Sequence, residues 1–133
     1  MAPPGGWLHG VPGVLDGGQL TLTVDRLAEW QLSDGMMPWF PGGHADPWNH
    51  TEALMALMLG GRRAEAEAGF AWLAGLQHAD GSWHQYYLAG GEVEEPKLDA
   101  NCVAYVAAGL YHHWLLFEDR SYLESNWEML CGA

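Results

Sequence analysis

Two stretches of the chain run an apolar segment into the same punctuation. Leu27 to Met37 reads LAEWQLSDGMM and Leu73 to Trp83 reads LAGLQHADGSW, with Leu-Ala, Gln and Asp-Gly in matching places 46 residues apart. Recurrence at such a period marks a stacked or closed array of helix pairs, each unable to bury its own apolar face alone. Within one unit, Gln-x-x-Asp-Gly ends an outer helix, and Asp-Gly supplies the turn that reverses the chain toward the next inner helix.

The segments between these marks read as helices. Over Gln19 to Leu32, Val24, Leu27, Trp30 and Gln31 form a helical stripe. Asp46 is an N-cap and Pro47 suits the first helical position, while Gly60 and Gly61 end that helix, giving 47–60. Only the two glycines separate it from 62–77, where Ala66, Phe70, Leu73 and Gln77 recur at helical spacing, so the pair must fold back antiparallel. Glu95-Pro96 repeats the Asp46-Pro47 start 49 residues later and opens a helix over 96–117 that is apolar on nearly every side. Such a helix is expected to be surrounded by protein. The expected fold is all-α: antiparallel hairpins with inner and outer layers, forming part of an α/α toroid over 19–133 behind a flexible Gly/Pro-rich segment over 1–18. The chain stops where an outer helix should still be running, so a C-terminally truncated toroid is expected, its open edge covered by the rest of the toroid or by self-association.

Charge limits the partners. Seventeen acidic against five basic residues give a formal charge of −12, which repels phosphate backbones and anionic membrane surfaces and excludes nucleic acid as a partner. Nothing approaches the roughly 18 uninterrupted apolar residues of a membrane span, and no secretory leader is visible, so a soluble cytoplasmic location is expected. Cys102 and Cys131 form no disulfide framework and read as buried, helix-borne thiols.

The combination GGHADPWNHTEALMAL, LAGLQHADGSW and KLDANCVAYVAAGLYHHWL resembles the QW-type repeat proteins of the terpenoid cyclase and protein prenyltransferase superfamily, in particular the actinobacterial proteins termed prenyltransferase-like or squalene-cyclase-like. The resemblance covers Leu27 to Asp119 and implies an α/α toroid with a central cavity for an isoprenoid-type or other small organic substrate, in a transferase or isomerase. A diphosphate substrate would bring Mg²⁺. The Asp-x-Asp-Asp acid motif of squalene-hopene cyclases is absent, and KLDANC departs by one residue from the zinc-binding Asp-x-Cys pattern, so zinc is not implied and no metal ligand is assigned.

Chemistry is expected at the N-terminal ends of inner helices, where loops converge. Aligning Pro47 with Pro96 sets His50 opposite Asp99 and Glu52 opposite Asn101: a histidine, two carboxylates and an amide on one rim, taken as the catalytic candidates. Glu52 and Asn101 lie deeper than a cap requires, and burial there without partners would be costly. Trp39, Phe40, His44, Asp46, Trp48, Trp83, Tyr86, Tyr87 and Lys97 are the substrate-binding candidates; an aromatic wall of this kind holds either isoprenoid chains or sugar rings. His84 belongs to the same aromatic run, whereas His112 and His113 lie late in the inner helix and read as structural. Three functions fit: an isoprenoid-related enzyme, a carbohydrate-active toroid using Glu52, Asp99 and Asp46 as paired carboxylates, and a non-catalytic binding scaffold.

Overall fold

A computed structural model describes residues 6–133; the first five residues of the Gly/Pro-rich segment lie outside them. The fold is all-α. Its helices are α1 (Gly17–Trp30), α2 (Pro47–Leu59), α3 (Arg63–Leu76), α4 (Ala100–Phe117), α5 (Arg120–Ser125) and α6 (Trp127–Gly132), with one two-stranded ribbon, β1 (Tyr86–Tyr87) and β2 (Val93–Glu95). No helix among the described residues is long and apolar enough to cross a membrane.

Caps fix the helix starts. Asp16 and Gln19 form a reciprocal capping box on α1, at 2.8 and 2.9 Å. Asp46 accepts from the backbone N–H groups of Trp48 and Asn49, both at 2.9 Å, with Pro47 in the first turn of α2. Gly60 and Gly61 end α2, the latter at φ +80°, and α3 starts two residues later. The expected antiparallel hairpin is therefore present.

α2 is the centre of the molecule. Its buried Leu54, Leu57 and Met58 share one core with Ala66, Phe70 and Leu73 of α3 and Val106 and Leu110 of α4. Two glycines allow the close approach: a Cβ on Gly69 would lie 2.3 Å from Leu54, and one on Gly109 would lie 2.4 Å from Thr51. Contacts from Asp46 to Cys102 and from Glu52 to Tyr105 put the N-termini of α2 and α4 at the same end, so the two run parallel while α3 returns antiparallel. At the opposite end, Asp119 pairs with Arg63, Arg63 with Glu67 at 2.6 Å, and Glu67 with the Nε2 of buried His113 at 2.9 Å. This chain of contacts ties α3 to α4 and α5.

Both Gln-x-x-Asp-Gly turns are built alike. The side-chain Nε2 of Gln31 donates to the carbonyls of Gly35 and Glu65, and that of Gln77 to those of Gly81 and Met129. Each glutamine closes its own turn and fastens it to the next helix of the outer layer, α3 in one case and α6 in the other.

Three expectations change. The helix expected over 96–117 starts at Ala100, because Asp99 is the residue whose side chain accepts from Asn101 N–H at 2.9 Å, while Glu95 pairs with Tyr86 in the ribbon. Proline is compatible with a strand end as well as with a first helical turn, so the repeated acidic-Pro dipeptide marked two different structures. Secondly, α4 is not enclosed on every side within the described residues: Ala104, Ala108, Tyr111 and Leu115 form an exposed stripe, Tyr111 being 61% exposed. Thirdly, Cys102 is buried but Cys131 is exposed; both are free thiols.

Candidate functional site

The N-terminal ends of α2 and α4, the loop before α2 and the β1–β2 ribbon meet in one region. The loop is tied to the ribbon through paired backbone hydrogen bonds between Ala45 and Tyr87, both 2.9 Å. Asp46 is the hub. Besides the two backbone donors of α2, it accepts from Asn49 Nδ2 at 2.8 Å and from the indole N–H of Trp39 at 2.5 Å, and the Cys102 thiol lies 3.9 Å away. Only 3% of Asp46 is exposed. Burial, with Asp46 and Asp99 nearby, pushes the Cys102 thiol up to about 11, so it stays protonated.

Two aromatic groups flank this hub. On one side His44 stacks on Tyr86, with centroids 4.4 Å apart, Trp39 meets both rings edge-on, and His44 Nδ1 lies 2.7 Å from Glu94. On the other side Trp48 stacks on Tyr105 at 5.1 Å. The exposed carboxylate of Glu52 closes the second group: its Oε1 accepts from the Trp48 indole N–H at 3.0 Å and from the Tyr105 hydroxyl at 3.3 Å. Desolvation and the adjacent Glu52 both raise the Tyr105 hydroxyl, which therefore donates. Among the described residues, Oε2 of this exposed Glu52 has no hydrogen-bond partner.

The structure thus divides the sequence candidates. Trp39, Phe40, His44, Asp46, Trp48, Glu52 and Tyr86 belong to the loop and the first turns of α2 or to the ribbon beside them. Phe40 is 55% exposed. Asp99 and Asn101 stand at the start of α4, at the same end, with one Asp99 oxygen engaged in capping. Lys97 is exposed, and its carbonyl accepts from Gln85. Glu52 and Asn101 are both exposed, so the burial cost expected for them does not arise.

His50, Trp83 and Tyr87 are turned into the core. His50 is fully buried between α2 and α3: Met37 N–H donates to its Nδ1, its Nε2–H donates to Gly69 O, each at 3.0 Å, and its ring packs on Trp72. These partners require the neutral ring, and burial lowers its pKa to about 4. With both nitrogens occupied away from solvent, His50 has no nitrogen to offer at the rim. Trp83 is fully buried and donates to Leu73 O at 2.8 Å, which pins the turn after α3 to that helix. The Tyr87 hydroxyl accepts from His84 N–H at 2.8 Å.

Tyr105 and Glu94 complete the region and were not among the sequence candidates. Matching the caps Asp46 and Asp99, rather than the prolines, sets Tyr105 in the position of Glu52, six residues past each cap. That register was the missed signal. Glu94 carries no local signal, since only the ribbon brings it to His44.

No protein-family model matches the chain. It is 43% identical over 124 residues to an MMP endo-(1,4)-3-O-methyl-alpha-D-mannosidase of Mycolicibacterium hassiacum. The match covers 93% of this chain, which spans about a third (34%) of the length of that relative. Similarity to a mannosidase overturns the prenyltransferase-like, squalene-cyclase-like and terpenoid-cyclase assignment. The motifs behind that assignment are ones the fold explains: Gln-x-x-Asp-Gly fastens outer helices and the tryptophan after it fills the core. They report architecture and carry no information on the reaction.

Proposed function

We propose that this chain forms part of a carbohydrate-active enzyme, a glycoside hydrolase that cuts internal α-(1,4) linkages of mannose chains bearing 3-O-methyl groups. The observation that carries the reading is the exposed Glu52 carboxylate held against the stacked Trp48–Tyr105 pair, with Oε1 fixed and Oε2 without a partner. Flat aromatic surface accepts the C–H face of a sugar ring, and an adjacent carboxylate accepts its hydroxyls. Identity of 43% to the mannosidase supports the same class.

In this reading Trp39, Phe40 and Trp48 supply the surface on which sugar rings lie, Phe40 being the most exposed of the three. Asp46 holds Trp39, Asn49 and the start of α2 in place. Glycoside hydrolysis commonly uses two carboxylates, one protonating the leaving oxygen and the other acting as base or nucleophile. Glu52 fits the second role, because Trp48 and Tyr105 both donate to Oε1 and fix the orientation of the carboxylate while Oε2 has no partner. Asp99, brought to the same end by the parallel α4, is the second acidic group on this rim.

Titration of the protein with a 3-O-methylated α-(1,4)-mannose oligosaccharide, followed by tryptophan fluorescence, tests the reading. Saturable binding is expected, with internal cleavage measured as new reducing ends. Glu52→Gln and Asp99→Asn should bind the sugar and lose cleavage, with helical circular dichroism unchanged. A flat titration would overturn the reading; binding with full cleavage in both variants would remove these carboxylates from the chemistry.

A further inference from the structure

Between α1 and α2, beside the Asp46 hub, a cleft of about 290 Å³ opens. Leu27 and Trp30 of α1 line one wall, Asn49 and Ala53 of α2 the other, and Pro38 and Trp39 of the loop complete it. Three of these side chains carry polar groups. The Trp39 indole N–H is committed to Asp46. Asn49 Nδ2 donates to Asp46 Oδ2 at 2.8 Å. A carboxylate can only accept, so this bond fixes which way the amide is turned and leaves Asn49 Oδ1 as an acceptor without a partner among the described residues. Half-buried Trp30 brings a donor, its indole N–H, which has no acceptor among the described residues.

An acceptor on α2 and a donor on α1 thus share one largely apolar, aromatic space, and their chemistry selects among ligands. A carboxylate or phosphate takes the Trp30 proton but has none to give Asn49, and the formal charge of −12 opposes it. An ammonium group reverses that shortfall, and an alkyl chain leaves both atoms covered and unpaired. A hydroxyl both donates and accepts, and a sugar hydroxyl comes on a ring whose C–H face suits the Trp39 indole. The cleft also adjoins the Glu52 group: Asn49 and Ala53 form a strip about 100° around α2 from Trp48 and Glu52, so neighbouring units of one oligosaccharide can reach both.

We infer that this cleft is a second sugar subsite, in which one unsubstituted ring hydroxyl donates to Asn49 Oδ1 and accepts from the Trp30 indole N–H. The inference rests on the glycan reading of the Glu52 site and adds the pair of residues that sets specificity on the α1 side. An ether oxygen in that place still accepts from Trp30 but has no proton for Asn49, and its alkyl group presses on Oδ1. The hydroxyl read here is therefore one that carries no methyl group. In an internal unit of an α-(1,4)-mannose chain methylated at O3, the hydroxyls at C2 and C6 are the ones left free.

Isothermal titration of the whole chain compares three probes: a 3-O-methylated α-(1,4)-mannose tetrasaccharide and its 2-deoxy and 6-deoxy counterparts. One deoxy probe should bind roughly 25-fold more weakly than the full sugar, the loss of two hydrogen bonds, and the other within about twofold of it. Trp30→Phe keeps an aromatic ring and removes the N–H, and Asn49→Ala removes the acceptor. Each should weaken binding of the full sugar about fivefold, the loss of one hydrogen bond, and leave affinity for the weak deoxy probe within about twofold. Because Asn49 also holds Asp46, this comparison separates the hydroxyl contact from an effect on the hub. Deoxy probes that both bind as tightly as the full sugar overturn the subsite and leave the glycan reading standing, as do variants that weaken all three probes equally. Failure of all three to bind the unaltered protein overturns the glycan reading and the subsite with it.

Discussion

Gln77 Nε2 donates to Met129 O at 3.0 Å, across 52 residues, as Gln31 Nε2 donates to Glu65 O at 2.8 Å. The glycines of the two turns dock the same way. A Cβ on Gly35 would meet Ala68 O at 2.2 Å, and one on Gly81 would meet Gly132 O at 1.5 Å. Ala68 lies three residues past Glu65, and Gly132 three past Met129. The short α6 thus receives the second turn as α3 receives the first, which makes the repeat a repeat of contacts as well as of letters.

Removing the donor should loosen both joints. Gln77→Glu keeps the size of the side chain but cannot donate, leaving the carbonyls of Gly81 and Met129 opposed to a carboxylate. The expected loss is about 2 kcal/mol, near 1 for each hydrogen bond, and a fall in melting temperature of roughly 8 °C. Thermal unfolding followed by circular dichroism measures it; a melting temperature within a degree of the parent would show that the glutamine contributes no stability.

Gly35→Ala and Gly75→Ala should act in opposite directions. Gly35 sits at φ +96° against the backbone of α3, so a methyl group there strains the turn and forces the helix away, at a cost of several kcal/mol, about 3 or more. Gly75 lies inside α3 with open space at its Cβ position, and alanine there should add up to about 1 kcal/mol through helix propensity. Urea midpoints of the two variants settle the comparison, and a Gly35→Ala protein as stable as the parent would contradict the docked turn.

Stability should fall on mild acidification because of His50. Its folded-state pKa, about 4, lies below the ordinary 6.5. The unfolded chain therefore takes up a proton as pH falls through 6.5, and the folded protein only near 4. The contribution is complete above pH 6.5, declines between 6.5 and 4, and amounts to about 3 kcal/mol in total. His113, also lowered chiefly by burial, acts in the same direction. Urea midpoints at pH 7.5 and 5.0 measure the decline. His50→Gln should reduce it, and an equal decline in that variant would assign the effect to other groups.

At the rim, Trp48→Ala should weaken oligosaccharide binding about tenfold, the equivalent of ~1.4 kcal/mol. Tyr105→Phe keeps the stacked ring and removes only the hydroxyl bonded to Glu52, so it should cost much less binding. Titration of both variants beside the parent gives the ratio. A larger loss for Tyr105→Phe than for Trp48→Ala would mean that the hydroxyl, rather than the ring stack, carries the affinity.

Whatever depends on a few consecutive residues was legible in the sequence. Asp46-Pro47 starts α2 because a short carboxylate reaches the free N–H groups of the first turn. Gly60-Gly61 ends it because Gly61 needs a positive φ, and the doubled Gln-x-x-Asp-Gly announced two turns of one kind. The direction in which each side chain faces was not legible, because it depends on helices distant in sequence. His50 and Glu52 lie two residues apart on one exposed-looking helix start, yet Gly69 of α3 draws His50 into the core and Tyr105 of α4 holds Glu52 at the surface. Asp99 displaced Glu95-Pro96 as the start of α4 for a similar reason: ribbon pairing with Tyr86 took Glu95 out of the helix. Sequence thus determined where the helices are, through contacts within a turn, and tertiary packing decided which polar groups among them remain free for a substrate.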